Sequence, residues 1–169
     1  LSLTSPDGTP PVGTVVINAG ATYTRTRAVT LTLAATDASG VADLCIGDPC
    51  GAFVPYATTV ATTMPTGADG TRTVAVRFRD RAGNIANPVT DTIVLDTIAP
   101  GLTLSGSTSG GRVAWTWSGA DATSGVASYR LVVASGATAP PAGCATGTLL
   151  AQGTTTSFTH GPLAVGSTW

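Results

Sequence analysis

Nine carboxylates and three thiols are the side chains of this 169-residue chain with the makings of a metal or redox site. Every acidic residue is aspartate, every basic residue is arginine, and there is a single histidine. Asp7, Asp37, Asp80, Asn84, Asp96 and Asp121 all stand in turn-rich segments. Calcium collects six to eight hard oxygens from carboxylates, amide carbonyls and backbone carbonyls, so these residues are the candidate ligands. The plainer alternative is turn chemistry. An aspartate ahead of Gly or Ser commonly accepts the backbone N–H groups of its own loop. No cofactor is required by either reading.

Cys45 and Cys50 enclose Ile46-Gly47-Asp48-Pro49, a turn-prone tetrapeptide that can bring the two Cα atoms within bonding range. A disulfide is expected there, with two free thiols as the alternative, and it would point to an oxidising compartment outside the cytoplasm. Cys144 is expected to find its partner beyond residue 169. Catalysis has little to build on. The chain has no G-x-S-x-G elbow, no H-E-x-x-H and no phosphate loop, and His160 sits in Thr159-His160-Gly161-Pro162, a turn composition. The expectation is that this is not an enzyme.

Composition narrows the class further. Only 10% of residues are charged, against roughly 25% in ordinary soluble domains. Lys and Glu, both good helix formers, are absent, and the abundance of Thr, Ser, Gly, Ala and Val favours strands and turns. A net charge of −1 with no basic run gives no footprint for nucleic acid. The apolar runs fall far short of the ~20 residues that span a bilayer as a helix.

An internal repeat organises these residues. Asp7-Gly8-Thr9-Pro10-Pro11 answers to Asp96-Thr97-Ile98-Ala99-Pro100, and Thr36-Asp37-Ala38-Ser39-Gly40-Val41-Ala42 to Ala120-Asp121-Ala122-Thr123-Ser124-Gly125-Val126-Ala127. The period is the size of one seven-stranded sandwich. In the first repeat, strands are expected at 15–17, 29–34, 41–46, 53–56, 59–64, 73–79 and 89–95. The second repeat offers 102–104, 113–117, 129–133, 149–150 and 155–158. The fold expected is all-β: residues 1–11 as the end of a preceding module plus linker, 12–98 as one β-sandwich, and 99–169 as a second that lacks its last strands. Residues 99–169 are therefore expected not to fold alone. The gap would be closed by later residues of a parent chain or by a strand from a neighbouring copy, with residues 1–4 as the obvious donor.

In such a sandwich the loop after the second strand and the loop after the sixth share one pole with the incoming linker. Asp37, Asp80 and Asn84 should then converge near Asp7, and Asp121 near Asp96. Arg77, Arg79 and Arg81 alternate along one side of a strand and its end, which suits a solvated face that discourages edge pairing. Trp115 and Trp117 flank Thr116 and share a face, expected to be core.

The first repeat resembles the bacterial immunoglobulin-like modules found in tandem on large secreted and surface proteins. The residues that carry the resemblance are Gly13-Thr14-Val15-Val16-Ile17-Asn18, Ala35-Thr36-Asp37-Ala38-Ser39-Gly40-Val41, Asp80-Arg81-Ala82-Gly83-Asn84 and Asp96-Thr97-Ile98-Ala99-Pro100. The second repeat is similar to fibronectin type III or related immunoglobulin-like modules: Trp117 stands where these keep a core tryptophan. Residues 163–169 resemble the corner before their sixth strand, although Trp169 stands where they keep Tyr. The resemblance implies an extracellular or cell-surface spacer, stalk or fibre element whose partners are neighbouring modules or copies. Its alternatives are an adhesion module for a glycan or a surface protein, and an accessory module of a secreted hydrolase.

Overall fold

The computed structural model describes residues 6–134, 144 and 146–162. The strand expected over residues 1–4 and the corner over 163–169 lie outside the described residues. The chain divides between Thr97 and Ile98 into two compact units.

Unit 1 is built from β1 (Val12–Ile17), β2 (Tyr23–Thr24), β3 (Ala28–Thr36), β4 (Val41–Ile46), β5 (Val54–Pro55), β6 (Thr59–Thr63), β7 (Gly70–Asp80) and β8 (Val89–Leu95). One sheet has the order β1-β3-β6 and the other β2-β8-β7-β4-β5. Side chains alternate across a strand, so Val29, Leu31 and Leu33 of β3 face Val74, Val76 and Phe78 of β7 across the interior. Val15, Ile17, Leu44, Met64 and Ile93 complete that single core, which makes the unit a β-sandwich. Gly13 is required by it: a Cβ there would sit 2.7 Å from the Ala34 carbonyl and inside the Phe78 ring.

Between β1 and β2 the chain crosses from one sheet to the other. A 3-10 turn at Asn18–Gly20, with left-handed Asn18, Ala19 and Gly20, makes the step. Two side chains clamp it: the Ile17 N–H donates to Asp91 Oδ2 (2.8 Å), and the Thr30 N–H donates to Asn18 Oδ1 (2.9 Å). Tyr23–Thr24 then runs parallel to Val94–Leu95. This short strand was not among the expected ones.

Unit 2 contains β9 (Gly101–Ser109), β10 (Arg112–Ala120), β11 (Tyr129–Val133), β12 (Thr148–Gly153) and β13 (Ser157–His160). They form a β13-β10-β9 sheet and a β11-β12 pair. Trp117 is buried and Trp115 half-buried over Gly106, on one face as expected. His160 ends a strand opposite Val113 instead of occupying a turn, and its ring lies beside that of Phe158.

Candidate functional site: an acidic pole on unit 1

Pairing of β4 with β7 places Val41 opposite Asp80, so the loop after β3 and the loop after β7 meet at one end of the sandwich. The Arg81 N–H donates to the Gly40 carbonyl (3.0 Å) and ties the two loops together. Asp37 shapes the first loop by accepting the Ser39 N–H and hydroxyl, both at 2.8 Å. Asp80 shapes the second by accepting the Asn84 N–H (2.7 Å) and side-chain amide (2.7 Å). Gly40 and Gly83 take the left-handed conformation that each loop requires (φ +89° and +98°).

Asp7 reaches this pole from the incoming segment. Its backbone carbonyl accepts the Asn84 side-chain amide (3.1 Å), and its Oδ1 accepts the Thr9 N–H (2.9 Å). Carboxylate oxygens of Asp7, Asp37 and Asp80 all lie within 4.8 Å of one another. Asp80 is only 2% exposed. The Oδ2 atom of Asp7 is shut off from solvent and has no hydrogen-bond partner. Burial alone pushes the Asp80 carboxyl up. Hydrogen bonds from the Asn84 side chain and from the backbone N–H groups of Asn84, Gly83 and Ala82 outweigh it and hold its pKa below the ordinary value. Asp80 is therefore an anion at neutral pH, beside two more carboxylates.

No arginine makes an ion pair with the cluster among the described residues, although the Arg81 guanidinium packs against Gly40 at the same pole. The two ion pairs among those residues lie elsewhere: Arg77 with Asp48 (3.2 Å) and Arg79 with Asp43 (2.5 Å). Arg79 also stacks over the Phe53 ring at 4.5 Å. Arg77 and Arg79 are thus already paired, which leaves them worth little as a docking site for an anion, at about 0–1 kcal/mol per exposed pair.

The other candidate ligands are Asn84, Asp96 and Asp121. Asn84 turns its amide nitrogen toward the carboxylate and the Asp7 carbonyl, so its nitrogen acts at this pole as a donor to both. Asp96, buried, follows β8 at the opposite end of unit 1, where its N–H donates to the Thr24 carbonyl (2.9 Å). Asp121 belongs to unit 2 and caps its own loop. Its Oδ1 accepts the N–H groups of Ser124 (2.8 Å), Thr123 (3.0 Å) and Gly125 (3.1 Å). Those of Ser124 and Thr123 do most to lower its pKa, against the opposing pull of burial. The matching repeat motifs therefore become matching aspartate-capped loops, each closed by a left-handed glycine, Gly40 or Gly125.

Cys45 and Cys50 are joined in a disulfide with Cα atoms 5.8 Å apart, whereas Cys144 is a free thiol beside the Arg130 carbonyl. Among the described residues Tyr23 is the one aromatic side chain that counts as exposed. No described helix is long and apolar enough to cross a membrane. The fold and site define a tandem of all-β units, the first a sandwich with an acidic pole. Compared with protein-family models and with curated proteins, the chain matches none.

Proposed function

We propose that this chain is an extracellular structural spacer, built of tandem immunoglobulin-like sandwiches, whose first unit binds Ca2+ at its entry pole. The path of the chain through unit 1 carries the reading. Asp7 enters beside Asp37 and Asp80, whereas Asp96 leaves beside Gly70, the first residue of the eleven-residue strand β7 that ends at Asp80. Entry and exit are thus separated by roughly 33 Å of extended strand. A unit threaded from pole to pole transmits load and adds length, which is what a spacer needs.

The disulfide fits a compartment outside the cytoplasm. The scarcity of exposed aromatic side chains among the described residues favours a spacer over a glycan-binding module, which would stack sugars on such rings. The cation is supported by three converging carboxylates, one of them buried, and by an orphaned buried oxygen on Asp7. Anionic oxygens this close repel unless a cation lies among them.

Calcium should raise the melting temperature of unit 1 over its value in chelator, because a ligand bound only by the folded state stabilises it. At a hundred times the dissociation constant the gain is about 2.7 kcal/mol. Asp37→Ala combined with Asp80→Ala should abolish the rise. Identical melting curves of the unaltered chain in calcium and in chelator would leave turn capping as the whole role of these aspartates.

A further inference from the structure

Strand β9 of unit 2 is the longest open sheet edge among the described residues. The order β13-β10-β9 ends on it, and no described strand pairs with its outer side. It runs nine residues, Gly101–Ser109, and every one of them is exposed. The other edge strands run two to six residues. Folded domains blunt long open edges with charge, proline or a bulge. β9 has none of these: its sequence GLTLSGSTS holds no charged residue and no proline, and its register with β10 is unbroken. Its outward N–H and C=O groups are a template for one more strand.

We infer that β9 pairs edge to edge with β9 of a second copy, antiparallel and centred on Ser105, so that one sheet runs through both chains. The inference is independent of the calcium reading. A twofold axis sets an edge against itself, so any charge on it meets its own kind, and β9 carries none. Centring on Ser105 pairs all nine residues and makes roughly eight to ten backbone hydrogen bonds. A whole protein interface typically has about ten. The faces match as well. Leu104 stands opposite Trp117, and Thr103 opposite Ser118 with the two hydroxyl oxygens 2.7 Å apart. Leu102 and Leu104 therefore share one face of the sheet, and Thr103, Ser105 and Ser107 the other. In the centred register Leu104 faces Gly106 of the second copy and lies diagonal to its Leu104, which covers side chains now half exposed. A slip of one residue sets both leucines against serines on the wrong face. The pairing closes at two copies and joins spacers in pairs through unit 2.

The test uses the full chain, by sedimentation over a range of concentrations and by amide hydrogen exchange. The unaltered chain should show a reversible monomer–dimer equilibrium. Ser105→Lys and, separately, Ser105→Glu put like charges directly opposite at the axis, and each should raise the dissociation constant about fivefold. Mixing the two variants sets opposite charges together and should bring the dimer back. In the unaltered chain, exchange at alternate residues of β9 should slow as concentration rises, while exchange in β3 stays as it was. A chain that remains monomeric, a dimer indifferent to both substitutions, or protection that arises outside β9 overturns the inference. Exchange in the unaltered chain decides the matter even where a variant fails to fold.

Discussion

Replacing Phe78 with alanine is expected to cost unit 1 about 3–5 kcal/mol, the range for emptying a large aromatic site in a core that cannot collapse around it. Phe78 is fully buried two residues before the end of β7, with Tyr56 edge-on at 6.0 Å and Gly13 beneath its ring. Tyr56 adds a second dependence, since its hydroxyl accepts the Ala35 N–H (3.1 Å) and its ring leans on Phe78. A domain of this size has roughly 5–15 kcal/mol in all, so the variant should be near unfolding. Phe53→Ala is the natural comparison. It removes the ring under Arg79 on the outer face, and about 0.5–1 kcal/mol is expected for a solvated cation–π contact. Denaturant titration of both variants checks the ratio. Equal losses would mean that the core is not organised around Phe78.

The two units are expected to differ widely in stability, with unit 2 melting first. Among the described residues fourteen buried hydrophobic side chains lie in unit 1, and three, Val113, Trp117 and Leu131, lie in unit 2. Each well-buried large apolar side chain contributes about 1.5–3 kcal/mol, so the contrast outweighs any surface effect. Every residue of β9 is exposed, Leu102 at 65% and Leu104 at 52%. These leucines, with Trp117, Val126, Tyr129 and Leu131, line a cleft of about 550 Å³. The Trp117 Nε1–H is buried there without a partner, an additional cost. Hydrogen exchange during heating should show β10 amides exchanging well before those of β3 and β7. Simultaneous loss of protection in both units would contradict the assignment of the core to unit 1.

Much of this architecture was legible in the sequence because burial enforces alternation. Val29, Leu31 and Leu33, and likewise Val74, Val76 and Phe78, announce half-buried strands, and they fall where β3 and β7 stand. Strand β2 was missed because two residues carry no period, and its parallel partner lies about seventy residues away. Strand β9 extends beyond 102–104 through Ser, Gly and Thr, which show no apolar alternation because no part of the strand is buried. The acidic convergence could be read from repeated loop motifs combined with sandwich topology. The orientation of Asn84 could not: its side chain offers both a donor and an acceptor, and only its neighbours decide which is used. The stacking of Arg79 on Phe53 was equally hidden, since it depends on a strand and a loop meeting across the sheet.

The proposal that unit 1 is a spacer braced by calcium is tested most directly by stretching single full-length chains by their ends. Force applied from entry to exit pulls β2 and β8 in opposite directions. These strands are parallel neighbours, held in part by the Val94 N–H on the Thr22 carbonyl (3.0 Å) and the Asp96 N–H on the Thr24 carbonyl (2.9 Å). Such bonds are loaded together, in shear, and give way together. Unit 1 should therefore rupture in one step that releases roughly 250 Å, from residues 12–95 at ~3.3–3.6 Å each less the folded span. The rupture force should be higher in calcium than in chelator. Gradual extension with no discrete step, or a rupture force indifferent to calcium, would contradict the account.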